Sequence, residues 1–237
     1  MSADAPPDGP DGPDGRATDG PVAWPIVRRR STAGAFHALE LPEPATPQLW
    51  VHEVVAPALV LGSTQRDDVV DASAALAAGV EVVRRRSGGG AVWLAPGEVV
   101  WVDVILPAGA PGWSDDVHRP MVWLGERLRR AFEAVGVEGA AVHDGAMVTT
   151  ERSRLVCFDG LGPGELTRGG AKLVGISQRR TRSAARLQCC WYVRHDHASL
   201  TRLLADDVDP SLLRPVATVG EREAVGVPGA LAAALAR

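Results

Sequence analysis

Residues 80–107 read VEVVRRRSGGGAVWLAPGEVVWVDVILP, and the expected architecture follows from this segment. An apolar run at 80–83 ends in three arginines at 84–86, and three consecutive glycines follow at 88–90. A second apolar run extends over 99–106. Short apolar runs separated by glycine predict a strand, a glycine loop and a second strand.

The glycine loop is suited to close contact with a ligand. Three glycines leave main-chain N–H groups uncovered, so that a small molecule can lie directly against the backbone. Arginine is the planar, permanently charged partner of phosphate and carboxylate groups. The segment therefore predicts a site for an anionic small molecule, with a flexible hairpin turn beside a solvated basic patch as the alternative.

A second segment, AKLVGISQRR at 171–180, contains Lys172, the single lysine among the 25 basic residues of the chain. Lysine carries a compact point charge on a flexible stem. It can neutralise a phosphate or an acyl oxygen in a tight site where a guanidinium group does not fit.

Together the segments RRRSGGGAVW and GAKLVGISQRR resemble the lipoate–protein ligase family, which shares its catalytic fold with biotin–protein ligases and octanoyltransferases. Gly62-Ser63-Thr64-Gln65 resembles the Gly-x-x-Gln strand end of that family. The likeness extends over roughly residues 22–195. It implies a mixed, largely antiparallel sheet with packed helices, of the biotin/lipoate ligase catalytic-domain type.

The pattern along the chain also favours an α+β fold, because strands dominate its middle and a long amphipathic helix lies between them. Helices are predicted at 31–41, 68–78, 115–135, 198–204, 210–213 and 228–236. Strands are predicted at 24–27, 49–55, 58–61, 80–83, 99–106, 142–148, 155–158 and 188–193, with a hairpin of 165–167 and 172–177.

Three regions are expected along the chain. Residues 1–21 form an acidic Pro/Gly tail that we expect to be disordered, because it lacks apolar residues to bury. Residues 22–197 are the expected catalytic domain, and 198–237 a helical extension.

Composition restricts the function classes. The net charge of −4 equals that of residues 1–20, which contain five aspartates and one arginine, so the remainder is neutral. A neutral body argues against a nucleic-acid-binding surface. No signal peptide, disulfide framework or membrane-spanning run is recognised, which predicts a cytoplasmic protein without membrane association.

The resemblance implies activation of lipoate or octanoate by ATP, with Mg²⁺, and transfer of the acyl group to a lysine of a lipoyl-carrier domain. Lys172 is the implied catalytic group, contacting the adenylate phosphate and the acyl carbonyl. The implied cofactor-binding residues are Gln65, Arg85, Gly88, Gly89, Gly90, Ala91, Val92, Trp93 and Lys172.

A second route uses no ATP. Octanoyltransferases of this superfamily pass the acyl group through a cysteine, and one branch has a Cys-Phe pair ahead of the lysine, as at Cys157-Phe158. Cys157 is therefore the alternative catalytic residue, unless it is a buried core residue on a strand.

Several motif positions depart from the ligase pattern. Leu94-Ala95-Pro96-Gly97-Glu98 stands where ligases usually have His-Asp-x-Gly-Asn, and Gln188-Cys189-Cys190 replaces Gln-His-Gly. A family member that binds an acyl ligand or a partner without turnover is thus a third interpretation. His195 and His197 lack a third ligand and predict no metal site. Trp93 and Trp101 are candidates for an acyl tunnel or for core packing.

Overall fold

The computed structural model describes residues 23–237. The tail predicted at 1–21 lies outside the described residues. The strands are β1 Ile26–Ser31, β2 Gln48–Val54, β3 Ala58–Leu61, β4 Glu81–Arg84, β5 Val92–Leu94, β6 Val99–Pro107, β7 Ala140–Val142, β8 Leu166–Arg168, β9 Ala171–Arg180 and β10 Ala184–Tyr192. The α-helices are α1 Ala33–Ala38, α2 Ala72–Ala77, α3 Arg119–Ala134, α4 His197–Thr201 and α5 Glu221–Leu235. Single 3₁₀ turns are formed by Asp67–Val69, Cys157–Asp159 and Pro210–Leu212.

Two sheets form the framework. The larger has seven strands in the order β1-β2-β6-β10-β9-β8-β7, and only its β1–β2 pair is parallel. The smaller has the order β4-β3-β5, with β4 parallel and β5 antiparallel to β3. The predicted α+β class with a mixed, largely antiparallel sheet is confirmed.

Strand β6 lies inside the large sheet between β2 and β10, and six of its nine residues are buried because its sequence is apolar almost throughout. Helix α3 covers one face with an apolar stripe that includes Leu124, Leu128 and Phe132. Helix α5 packs on α3 and joins the same core.

Several predicted boundaries were wrong for local reasons. Helix α3 begins at Arg119 rather than 115, because Pro120 fits a first turn but would break a helix that had started earlier. Conversely, α5 begins at Glu221 and continues through Pro228, which is buried with Val227 and Leu231. This burial offsets the hydrogen bond that the proline removes.

Other elements were missed or misassigned. The glycine loop leads into β5, a short strand of the small sheet that the sequence did not reveal, and not directly into β6. The strand predicted at 142–148 is wrong, because β7 covers Ala140–Val142 and shares only Val142 with it, and the strand predicted at 155–158 is replaced by the Cys157–Asp159 turn.

Beyond the last strand, the chain returns to the sheet. Val216 forms an isolated bridge with Lys172, and Thr218 forms one with Tyr192. The division into a domain at 22–197 and an extension at 198–237 stays a prediction. Within residues 23–237, no helix combines the length and apolar character needed to span a membrane.

A buried ion pair fixes α1 to the sheet. The Arg186 side chain, 2% exposed, donates to Asp103 on β6 and to the carbonyl groups of Phe36 and Leu39 at the end of α1. Burial alone would raise the pKa of Asp103, but His52 and Arg186 outweigh it and lower the pKa to about 2. The pKa in the folded protein lies below the ordinary value of 3.8, so ionised Asp103 stabilises the fold at pH values above 3.8. This contribution to the free energy of unfolding is lost as the pH falls towards 2.

We expect Asp103→Asn to lower the free energy of unfolding by about 3–5 kcal/mol, because the buried charge of Arg186 loses its counter-ion. Urea unfolding at neutral pH measures this loss. Glu53→Gln removes the exposed partner of Arg30 and serves as the control, with a change below about 0.5 kcal/mol. Equal losses in the two variants would contradict the role given to Asp103.

Candidate active site

The glycine loop packs against the chain itself as well as facing solvent. Gly88 and Gly89 are exposed, whereas Gly90 is buried. A Cβ atom on Gly90 would lie 2.7 Å from the amide nitrogen of Cys157, and a Cβ atom on Gly62 would lie still closer to the carbonyl oxygen of Gly89. Glycine is therefore required at 90 because another segment of main chain occupies the space that a side chain would need.

Arg85 gives the loop its shape. The guanidinium group is 4% exposed and donates to the carbonyl oxygens of Gly88 at 2.7 Å, Gly90 at 2.9 Å and Val60 at 3.3 Å. Its Nη2 also lies 4.0 Å from the Sγ atom of Cys157. Most of its donors are thus directed to main chain, which the sequence could not reveal.

Gln65 connects the end of β3 to the segment that carries Cys157. Its Oε1 accepts from the N–H of Gly62 at 2.9 Å, and its Nε2 donates to the carbonyl oxygens of Arg154 and Leu155 at 3.2 and 3.1 Å. In this structure Gln65 therefore positions neighbouring main chain.

Lys172 is buried on β9, where its side chain is 5% exposed. Its Nζ lies 2.7 Å from Glu165 Oε2 and donates to the carbonyl oxygens of Cys157 at 3.2 Å and Gly160 at 3.1 Å. Burial disfavours the ammonium form, but the charges of Glu165 and Cys157 outweigh it and raise the pKa of Lys172. The group is therefore a permanent cation at the end of the Cys157–Asp159 turn.

Cys157 lies between the glycine loop and Lys172. Its N–H donates to the carbonyl of Ala91 at 2.9 Å, and its carbonyl accepts from the lysine. The residue is half-buried on a 3₁₀ turn, so the interpretation as a core cysteine on a strand is wrong. Loop, thiol and ammonium group, separate in sequence, are brought together here.

A cavity of about 60 Å³, enough for several water molecules, opens beside this junction. Its wall is largely apolar, and three cysteines, Cys157, Cys189 and Cys190, are among its lining residues. The other lining residues are His37, Val60, Arg85, Val92, Leu94, Trp101, Phe158, Gly175, Ile176, Ser177 and Gln188.

Only some of the predicted residues line this cavity. Val92 and Trp101 line it, whereas the Trp93 side chain is 4% exposed and packs in the core of the small sheet. Core packing is thus the observed role of Trp93, and only Trp101 faces the candidate acyl space. Ala91 contributes its carbonyl and N–H groups to the segment at 155–157.

Sequence reasoning missed four residues of the site. Ser87 donates to Ser177 at 3.0 Å and thereby joins the loop to β9. Glu165 is the counter-ion of Lys172, and its position before the β8–β9 hairpin carries no signal of that role. Burial and the nearby charge of Cys157 raise the pKa of Cys190 to about 12, which keeps it a thiol.

Two histidines near the site, His37 and His195, are neutral at physiological pH. Burial lowers the pKa of His37 to about 3 and that of His195 to about 4. His195 and His197 contact each other at 3.2 Å. In the described part of the chain, no three His, Cys, Asp or Glu side chains are grouped to hold a metal ion.

A family model described as the lipoyl protein ligase A/B catalytic domain matches residues 36–224. The chain belongs to this family. The resemblance read from the two motifs is thereby confirmed, and membership supports an enzyme of the ligase or acyltransferase class. No curated protein sequence matches the chain.

Solved structures of similar fold include lipoate-protein ligase A bound with ATP, at 16% identity and a TM-score of 0.66, with 88% of this chain and 82% of that chain covered. A putative lipoate protein ligase of T. acidophilum with bound lipoic acid matches at 15% identity and a TM-score of 0.63, with 90% of this chain and 84% of that chain covered. A structure of the bi-partite ligase of Thermoplasma acidophilum and its E2 lipoyl domain matches at 15% identity and a TM-score of 0.62, with 91% of this chain and 82% of that chain covered. At these identities the likeness establishes the fold.

We expect Gly90→Ala to lower the free energy of unfolding by about 1–3 kcal/mol, because the added methyl group overlaps the main chain at Cys157. Gly88→Ala is the matched control, since a Cβ there meets no atom within 4 Å. Urea unfolding of the two variants separates close packing from loop flexibility. Similar stabilities would show that the loop does not rest on the Cys157 segment.

Proposed function

We propose that this chain transfers a lipoyl or octanoyl group to a lysine of a lipoyl-carrier domain, and that the acyl group passes through the thiol of Cys157. The observation that carries the proposal is the convergence at this residue. Its thiol lines the apolar cavity, its N–H and carbonyl are held by Ala91 and Lys172, and Arg85 lies 4.0 Å from its sulfur.

The chemistry takes two steps. The Cys157 thiol gives up its proton and its sulfur attacks the carbonyl carbon of an acyl thioester. The bond from that carbon to the donor sulfur breaks, and the donor leaves as a thiol that carries the proton. The amine of the carrier lysine then attacks the new thioester, which forms an amide, and a proton returns the cysteine to its thiol form. The thiolate is the nucleophilic form of cysteine.

The cavity and the related structures support the proposed substrate class. An apolar wall suits a saturated acyl chain, because burial of each CH₂ group contributes about 0.8 kcal/mol. One protein of similar fold holds lipoic acid, and another is described with its E2 lipoyl domain. These neighbours support lipoyl or octanoyl as the acyl group and a lipoyl domain as its acceptor.

The second candidate is ATP-dependent activation of the free acid, and it rests on a separate observation. Within residues 23–237, the N–H groups of Gly88, Gly89 and Gly90 have no hydrogen-bond partner, so they are suited to phosphate oxygens. ATP would bring Mg²⁺ with it. A protein of similar fold binds ATP, which supports this alternative.

We expect incubation with an octanoyl thioester of acyl-carrier protein to leave one octanoyl group on the enzyme, detected by intact mass. Cys157→Ser removes this adduct because the oxygen nucleophile is far weaker than the thiolate. Cys190→Ser is the matched control, since Cys190 lines the same cavity but remains a thiol. We expect the control to retain the adduct.

Absence of an adduct, together with ATP–pyrophosphate exchange that depends on lipoate or octanoate and survives Cys157→Ser, would contradict the thiol route and favour the second candidate. Absence of both reactions, with acyl ligands still bound, would favour a family member that binds without turnover.

A further inference from the structure

The three arginines before the glycine loop have different partners. Arg84 donates to the main-chain carbonyls of Gly62 and Gln65 and also pairs with the exposed Asp67 side chain, and Arg85 donates to the carbonyls of its own loop. Within residues 23–237, Arg86 pairs with a side chain alone, at 2.7 Å between its Nη2 and Oε1 of Glu40. A side chain can rotate away from its partner, whereas a main-chain carbonyl cannot leave without unfolding the loop. Arg86 is therefore the arginine of the three that is not fixed to main chain and is able to exchange its partner for a ligand.

The Glu40 carboxylate connects Arg86 to a second arginine. Its other oxygen lies 3.0 Å from Nη2 of Arg179 on β9, and both contacts lower the pKa of Glu40 to about 2. In the described part of the chain, Nη1 of Arg179 is buried without a hydrogen-bond partner. The cluster thus carries one net positive charge and an unused donor.

Each member of this cluster lies within three residues of the cavity wall along the chain. Arg86 directly precedes Ser87, which is hydrogen-bonded to Ser177 in the cavity wall. Arg179 follows Ser177 by two residues and so projects from the same face of β9. Glu40 follows the cavity residue His37 by three positions.

We propose that Arg86 and Arg179 form a phosphate subsite at the rim of the cavity, in which Glu40 is a displaceable intramolecular counter-ion. The identity of the ligand rests on the proposed acyl transfer: the phosphate belongs to the acyl donor, as in the phosphodiester of a pantetheine arm. The same chemistry could be supplied by the phosphates of ATP.

Exchange of Glu40 for a phosphate is physically reasonable. Glu40 is 64% exposed at its side chain, and exposed ion pairs contribute little to stability. A phosphate offers more charge and more oxygen atoms than a carboxylate, and the planar guanidinium group binds it through two parallel hydrogen bonds. The ligand would also find the unused Nη1 donor of Arg179.

Calorimetric titration of the full chain tests this without turnover, with coenzyme A and phosphate-free pantetheine as probes. We expect Arg86→Gln and Arg179→Gln to weaken coenzyme A binding about fivefold each, and Glu40→Gln to strengthen it by a similar factor. Pantetheine binding stays unchanged in all three. Arg30→Gln, which removes an exposed ion-paired arginine on β1, is the control and leaves both affinities unchanged.

A parallel titration with ATP distinguishes the source of the phosphate. If the arginine variants weaken and Glu40→Gln strengthens the binding of ATP, while coenzyme A binding does not change, the subsite is supported and is assigned to the nucleotide. The subsite is overturned if the variants leave the affinities for coenzyme A and for ATP unchanged, or if pantetheine binding changes as much. It is also overturned if the wild-type chain binds neither coenzyme A nor ATP. The expected coenzyme A pattern without an adduct on Cys157 would contradict the thiol route and leave the subsite standing.

Discussion

A buried ammonium group holds the candidate site together. Lys172 is neutralised by Glu165 and donates hydrogen bonds to two carbonyl groups at the same turn, those of Cys157 and Gly160. Glu165 in turn accepts the N–H groups of Gly162 at 2.6 Å and Ile176 at 3.0 Å. Burying two charges is costly unless both are paired and hydrogen-bonded, and here both are. The lysine therefore fixes where the thiol lies, in addition to any contact with substrate.

The site forms where the two sheets meet. The glycine loop belongs to the small sheet and Lys172 to the large one, and the Cys157–Asp159 turn lies between them. Ala91 and Val156 form a parallel bridge across this junction. Because Gly89 and Gly90 have no side chains, the loop can pack closely on the turn. The absence of side chains also leaves the N–H groups of the loop accessible to a ligand. One sequence feature thus permits close packing and leaves main-chain donors for the proposed ligand.

Elements with a strong local signal could be predicted from the sequence. Strand β3 occupies the expected residues, and the hairpin of β8 and β9 turns at Gly169 and Gly170, as its two glycines predicted. Strand β5 and the turn at Cys157 escaped prediction because each is three residues long and depends on pairing with distant segments. Tertiary burial likewise decided the helix across Pro228.

Part of the candidate site could likewise be predicted from the sequence. Motif likeness selected Gly90, Cys157 and Lys172, which the structure brings together. It could not reveal that Arg85 binds its own loop, or that Glu165 and Glu40 are the counter-ions, because such partners are defined by three-dimensional contact and not by spacing.

Amide hydrogen exchange in a Lys172→Met variant tests the central claim most directly, since methionine keeps most of the length of the side chain and removes its charge. The account predicts faster exchange at the N–H of Cys157, which is bonded to Ala91, while amides of the central strand β10 keep their protection. Unchanged protection at Cys157 would contradict it, because the turn would then be held in place without the lysine.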